Sequence, residues 1–331
     1  MSNLIEQSPA PVRASGPEQL AALVPYMMGF VPLASVVVIY LDGRRVATTM
    51  RLDLDASPRD VIEAARCQGV NGCEHAVVVL FEDSTTGQGE PVLDEMSAAI
   101  RSAGTQVLAE VIVSGQSVRQ RGQDPSPLSE HTHLAAPFVA LGINPLPSRE
   151  ALERALAPSH VPDGLTAALS AAEPVGARVC AQAWAEVLDP AAGPVAALAV
   201  ETLTAAMVGL ADVETRDAIV ARVWPIGGGE VPEPLREALG EVLDVVEGVL
   251  PTARGVDGPV AIATARRLVD LAGATPAGKY RDDVIALAAT GLYWAGQGAD
   301  ANILLEEAAG HGNRMAALLG RMLAHGLKYR P

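Results

Sequence analysis

The sequence is poor in aromatic residues and in cysteine, and it has no long apolar run. Only 3% of its 331 residues are Phe, Trp or Tyr, whereas a stacking platform for single-stranded nucleic acid needs several aromatic rings close together. Cys67, Cys73 and Cys180 are odd in number and widely spaced, so they predict no disulfide framework. No apolar run reaches the roughly 20 residues of a membrane span, and no signal-peptide core follows Met1. We therefore expect a cytoplasmic protein.

Positive charge is scarce as well. The chain has 24 Lys and Arg against 39 Asp and Glu, which gives a net charge of −15 at pH 7, and only Lys279 and Lys328 are lysines. A charge of this sign repels nucleic-acid phosphates and anionic lipid headgroups. We therefore expect no direct binding to nucleic acid or to membranes. The hydrophobic share of 49% is enough for a sizeable core, and the length favours two domains.

The pattern of residues 14–145 is that of an α/β domain, preceded by a flexible tail at residues 1–13. Helices and apolar strands alternate in the order α-β-β-α-β-α-β, which predicts a mixed sheet with helices on its faces. The predicted strands are Ser35–Leu41, Arg45–Leu54, His75–Glu82 and Gln106–Val113, with a short edge strand from Val118. The predicted helices are a first one that Ser15 caps and Gly29 ends, followed by helices at about 58–68, 93–103 and 133–141.

In residues 146–331, Ala and Leu at helical spacing replace the strand-like runs. This pattern predicts an all-α region of helical hairpins, with a break near residues 226–233 where Gly and Pro cluster. Whether the region forms one domain or two stays open. The predicted helices lie near 162–172, 175–188, 194–210, 214–223, 233–250, 258–272, 280–296, 299–309 and 313–326. Small and large residues at Gly296, Ala301, Leu305 and Ala308 match the packing positions of a tetratricopeptide-type hairpin.

Polar residues at the ends of predicted strands are candidates for an active site. Loops at the carboxyl ends of strands are where open α/β sheets place their ligands. The candidate catalytic residues chosen on this ground are Asp53, Asp83, Ser84 and Ser114. The sequence shows no G-x-S-x-G elbow and no coherent set of nucleophile, base and acid. Solvated turns between strands and helices would contain the same residue types. The hypothesis of an enzyme therefore stays open, and we prefer that of a non-enzymatic protein.

One segment imitates a phosphate-binding loop. Gly273, Gly278 and Lys279 satisfy the G-x-x-x-x-G-K frame. That loop needs a strand before it and a Ser or Thr after its lysine to hold magnesium. Here a helical pattern precedes it, and Tyr280 occupies the position of the hydroxyl residue. We interpret the segment as a turn between two helices and predict no nucleotide or other cofactor.

A second candidate site surrounds two histidines. His131 and His133 are two residues apart, with Asp124 and Glu130 upstream, so they could hold a metal with carboxylate help. They could equally position the helix that follows. The sequence shows no second cluster of His or Cys, and we predict no metal.

Several segments together resemble one protein family. They are residues 13–41, Arg51–Leu54, Leu146–Leu152 and residues 293–306. Over roughly residues 13–327 the chain resembles the actinobacterial domain-of-unknown-function family 4192. The resemblance implies an origin in a high-GC Gram-positive bacterium or its phage, and it brings no established activity and no catalytic residues to map. Relatives carry a segment rich in Cys and aromatic residues after the fourth strand, and Gln116–Glu130 has neither.

Three functional hypotheses follow from these observations. The first is a non-enzymatic cytoplasmic protein that acts through contact with a protein partner or as a homo-oligomer, because Ala-rich helices dominate and no catalytic set is visible. The second is an enzyme that binds a small molecule or nucleotide at the strand ends of the α/β domain. The third is an accessory factor in phage or host DNA metabolism that contacts a protein rather than DNA.

Overall fold

The computed structural model describes residues 12–69, 73–82, 89–140, 143–157, 160–224, 231, 233–250, 259–294 and 297–324. Most of the predicted tail and most of the Gly-rich break lie outside these ranges. The chain divides into two compact units. Among the described residues, the first comprises residues 12–152 together with residues 322–324, and the second runs from Glu153 to Arg321. The first contains a mixed sheet with helices and the second is helical, so the predicted fold class is confirmed.

A six-stranded sheet forms the centre of the first unit. Its strands are β1 (Ser35–Asp42), β2 (Arg45–Asp53), β3 (His75–Glu82), β4 (Gln106–Ser114), β5 (Ser117–Gln120) and β6 (Ser126–Pro127). They lie in the order β2-β1-β3-β4-β5-β6. Strand β1 is antiparallel to both of its neighbours, and only β3 and β4 are parallel. The buried runs of Val, Ile and Leu in β1 and β3 suit their central places, because both of their faces are covered.

The described part of the first unit also contains five helices. They are α1 (Pro17–Met28), α2 (Pro58–Gly69), α3 (Gly89–Ser102), α4 (Ala136–Ala140) and α5 (Arg149–Leu156), within which the division between the units falls. Even-numbered side chains of β1 and β3 form a core with α2 and α3, including Tyr40, Leu80, Leu93 and Met96. Helix α1 contacts β4 and β5.

Local capping explains where these helices begin. The Ser57 hydroxyl accepts a bond from the Asp60 amide at 3.3 Å, and the Ser148 hydroxyl accepts one from Ala151 at 3.2 Å, as expected for N-caps. The Ser15 prediction is wrong, because Gly16 occupies the N-cap position of α1.

The helix predicted at 133–141 is also only partly right. A 3-10 helix, Leu128–Ala135, occupies the start of this segment, and α4 begins only at Ala136. Pro137 lies in the first turn of α4, where the absence of an N–H costs nothing.

The second unit consists of helices in its described part. They are α6 (Leu165–Ala171), α7 (Ala177–Leu188), α8 (Val200–Gly209), α9 (Val213–Val223), α10 (Glu233–Glu247), α11 (Pro259–Ala274), α12 (Lys279–Trp294), α13 (Gly298–Gly310) and α14 (Arg314–Ala324). Each corresponds to one predicted helix. In the predicted α12–α13 hairpin, Ala301, Leu305 and Ala308 are buried, whereas Gly296 lies outside the described residues.

Glycines allow helices of the second unit to approach closely. A Cβ at Gly209 in α8 would lie 2.1 Å from the Cys180 sulfur of α7. Burial raises the pKa of the Cys180 thiol to about 12, so this cysteine is a packing residue at neutral pH. Cys73 is likewise buried and forms no disulfide with another described residue, whereas the side chain of Cys67 is outside the described part.

Candidate functional site

The strand-end candidates lie along one edge of the sheet without meeting. The strand register aligns Asp53 at the end of β2 with Ser35 at the start of β1, and through β3 with Val113, which precedes Ser114 at the end of β4. Neighbouring strands are about 4.8 Å apart, so Asp53 and Ser114 are separated by roughly 14 Å across three strand spacings. Asp83 and Ser84 lie outside the described residues.

Both described strand-end residues have local contacts. Asp53 forms an ion pair with Arg51, whose guanidinium lies 5.7 Å from the centre of the Phe30 ring. The Ser114 carbonyl accepts a hydrogen bond of 2.9 Å from the Ser117 hydroxyl, which closes the β4–β5 turn. These contacts stabilise the strand ends and do not bring Asp53 and Ser114 together.

The two candidate histidines lie on the 3-10 helix. His133 Nδ1 donates to the Glu130 carbonyl at 3.1 Å, so this ring nitrogen stabilises the helix itself. His131 Nε2 is buried and has no hydrogen-bond partner among the described residues. Within the described ranges, no group of three or more His, Cys, Asp or Glu side chains converges in a way that could hold a metal ion.

The G-x-x-x-x-G-K segment joins two helices. Gly273 lies within the last turn of α11, and Lys279 begins α12. Gly278, between them, has a φ of 125°, a conformation that L-residues with side chains rarely adopt. Helix α11 stands where a phosphate-binding loop requires a strand.

The same turn nevertheless lines a pocket of about 640 Å³. Its other wall is the turn between α13 and α14. The lining residues are Ala277, Gly278, Lys279, Asp282, Asp283, His311, Gly312 and Asn313. Two turns about 30 residues apart in the sequence therefore bring together two carboxylates, an ammonium, an imidazole and an amide.

A buried carboxylate orients an exposed imidazole in this pocket. Asp282 is 5% exposed, and its Oδ1 lies 2.9 Å from Nδ1 of the half-exposed His311. The hydrogen bond to Asp282 raises the pKa of His311 above its ordinary value. With Nδ1 bound to the carboxylate, Nε2 is the atom that can exchange a proton with a ligand. Beside this pair, the Asn313 amide donates to Asp283 at 3.0 Å, while burial raises the pKa of Asp283.

The His311–Asp282 pair predicts a pH-dependent stability. Because the folded-state pKa of His311 is raised, the pair stabilises fully below the unfolded pKa, about 6.5, and the stabilisation is lost as pH rises through the folded pKa. We expect His311→Gln to lower the melting temperature at pH 6 and to have less effect at pH 9. Melting curves of the wild type and the variant at the two pH values measure this difference. An equal drop in melting temperature at pH 6 and at pH 9 would contradict the predicted pH dependence.

Sequence reasoning did not find this pocket. Asp282 and Asp283 follow a segment that we had interpreted only as a turn, and His311 and Asn313 carry no motif of their own. The one available signal was Lys279, the single lysine among the described residues, placed directly after a glycine turn.

A second feature of the first unit is the free edge of its sheet. Strand β2 has nine residues and pairs only with β1 in the described part of the chain. Its residues are exposed or half-exposed along their whole length. A register shift opposite Tyr40 and Leu41 makes Ala47 an extra residue, so the regular part of this edge is residues 48–53. We call residues 48–53 the free edge of β2.

Comparison with known proteins identifies the family. The family model described as "Domain of unknown function (DUF4192)" matches residues 17–329, so the chain belongs to this family, as the sequence segments predicted. No curated protein and no solved structure matches the chain. Among the described residues, no helix is both long and apolar enough to cross a membrane.

Proposed function

We propose that this member of the DUF4192 family acts through protein–protein contact, and that the free edge of β2 is the contact surface. One observation carries the proposal: a central sheet presents a long strand with an unpaired edge among the described residues. Such an edge offers a row of N–H and C=O groups to an added strand. Strand addition obtains its affinity from these main-chain bonds and its specificity from alternate side chains.

The backbone geometry shows which groups are offered. The Leu54 N–H donates to the Ala34 carbonyl at 3.0 Å. In an antiparallel pair, successive residues point their N–H groups alternately toward and away from the partner strand. Thr49, Arg51 and Asp53 therefore direct their backbone groups away from β1.

Site-specific photo-crosslinking in cells tests this proposal. A photoreactive residue at Val46, 38% exposed beside the free edge, should form an adduct whose contact maps to an extended segment of the bound protein. Thr49→Pro should abolish the adduct, because proline removes an outward N–H while leaving the bonds to β1 intact. Thr49→Val, which keeps the N–H, should retain it.

The matched control places the photoreactive residue at Ile62, which is 42% exposed on α2 of the same unit. We expect no adduct there that depends on Thr49. An adduct at Val46 that survives Thr49→Pro would contradict strand addition, and so would the absence of any adduct at Val46.

The pocket of the second unit supports a second candidate function, the binding of a small polar molecule. The specific observation is the oriented His311 imidazole beside the exposed Lys279 and the half-buried Asp283 in a 640 Å³ space. Groups of both signs suit a ligand that carries both donors and acceptors. A thermal-shift screen of such molecules should find compounds that stabilise the wild type but not His311→Ala. Equal stabilisation of both proteins would exclude this pocket as the site.

A further inference from the structure

We infer that the strand added to β2 is β2 of a second copy of this chain, paired antiparallel about a two-fold axis at Met50. The inference rests on the proposed function and names its partner. It follows from three properties of β2. The strand has a regular free edge at residues 48–53, its odd-numbered residues direct their backbone groups outward, and its two ends carry opposite charges.

Hydrogen bonding and charge together fix the alignment. Only outward-facing residues can bond across the new pair, so odd-numbered residues must lie opposite odd-numbered residues. Within the regular part of the edge, two five-residue stretches meet this condition, 49–53 centred on Arg51 and 48–52 centred on Met50. The first would place two Arg51 side chains of like charge directly opposite each other, which is unfavourable, so we take the second. Centred on Met50, this stretch places Thr49 opposite Arg51 of the second copy, and Arg51 opposite its Thr49.

Charge favours the same antiparallel arrangement. The start of β2 carries Arg44 and Arg45, and its end carries Asp53 and Asp55. All four residues are exposed. Antiparallel pairing about Met50 brings the basic start of β2 in each copy toward the acidic end of β2 in the other, twice by symmetry. A parallel alignment would instead bring like charges together at both ends, which is unfavourable.

The centre of the pair is apolar. Met50 and Leu52 are half-exposed in the single chain and pack against the core that β1 and β3 form with α2. Side chains directly opposite one another in an antiparallel pair lie about 5 Å apart. The two Met50 side chains would therefore meet at the axis, and six strands from each copy would form one continuous sheet.

Sedimentation velocity of the full chain with charge-reversed variants tests this inference. We expect a dimer of the wild type at tens of micromolar. The variant Arg44→Glu/Arg45→Glu and the variant Asp53→Lys/Asp55→Lys should each dissociate at least about tenfold more readily, because each places like charges at both ends. An equimolar mixture of the two variants should form a dimer again, since each acidic strand end of one variant then faces a basic strand end of the other.

Backbone variants provide a readout that does not depend on charge. Thr49→Pro should be monomeric and Thr49→Val dimeric, with matching circular dichroism showing that both are folded. In the wild type, the amides of Thr49 and Arg51 should become protected from hydrogen exchange as concentration rises. Amides already protected in the monomer would overturn the inference, because another segment of the same chain would then cover the edge.

The outcomes also separate this inference from the proposed function. A wild type that stays monomeric at all concentrations overturns self-pairing. So does a dimer that Thr49→Pro and both charge variants leave intact. If the crosslink at Val46 then still maps to a strand of a different protein and still requires the Thr49 N–H, contact through the free edge stands with another partner. If that crosslink is absent too, both fail.

Discussion

Replacing Gly291 with alanine should destabilise the second unit by about 3 kcal/mol, the upper end of what overpacking a dense core costs. Gly291 lies within α12, and a Cβ built there would be 1.8 Å from Cζ2 of Trp224. The indole cannot easily withdraw, because it is almost fully buried and its Nε1 donates to the Leu287 carbonyl at 3.1 Å. The ring would have to break this bond or push α12 away from the end of α9.

Tryptophan fluorescence during urea unfolding measures this effect in the correct unit. All three tryptophans of the sequence, Trp184, Trp224 and Trp294, belong to the second unit. Gly320→Ala in α14 is the matched control, because a Cβ there meets nothing within 4 Å. The control should be neutral or stabilising by up to about 1 kcal/mol, the propensity difference between Gly and Ala. Equal unfolding midpoints for the two variants would contradict the packing argument.

Replacing Arg281 with methionine should cost about 3–5 kcal/mol of stability, the range for breaking a buried ion pair from one side. Arg281 is 1% exposed. Its Nε and Nη2 donate to the two carboxylate oxygens of Glu307 at 2.7 and 3.1 Å, and its Nη1 donates to the Ala272 carbonyl. One guanidinium therefore connects α12 with the end of α11 and with α13. Methionine would leave the Glu307 carboxylate and the Ala272 carbonyl without this donor.

Arg236→Met is the control for the Arg281 variant. Arg236 pairs with Glu247 at 3.0 Å, but its side chain is 39% exposed. Solvent screens such a pair, and we expect a loss below about 1 kcal/mol. Urea unfolding followed by tryptophan fluorescence reports on both variants, since both lie in the second unit. Similar losses for the two would show that burial does not set the strength of the Arg281 contact.

Much of the secondary structure could be predicted because local signals determine it. The strand predicted at His75–Glu82 has those bounds, and the nine helices that the structure describes in the second unit occur where Ala and Leu follow a helical period. Ser57 and Ser148 each stand directly before a helical run, and their hydroxyls make the bonds expected of N-caps. Each of these features depends on residues within one or two turns of each other.

Errors occurred where distant residues decide the local structure. Strand β6 has only two residues, and it exists because Val118 of β5 pairs with Ser126. No periodicity can reveal so short a strand. Helix α3 begins at Gly89, four residues before its predicted start at Leu93, and Gly89 is buried against Leu80 of β3. Packing against the sheet thus extends the helix beyond its own signals.

The sequence by itself determined the class of each half of the chain, the family, and most helix and strand bounds, because periodicity and capping are local properties. Tertiary structure decided the two surfaces for which we propose a function. Strand β2 is an edge only because β3 pairs with β1 on its other side. Asp282 and His311 meet only because α12 and α13 pack together and bring two separate turns side by side. Both depend on pairing between distant segments, which no local pattern records.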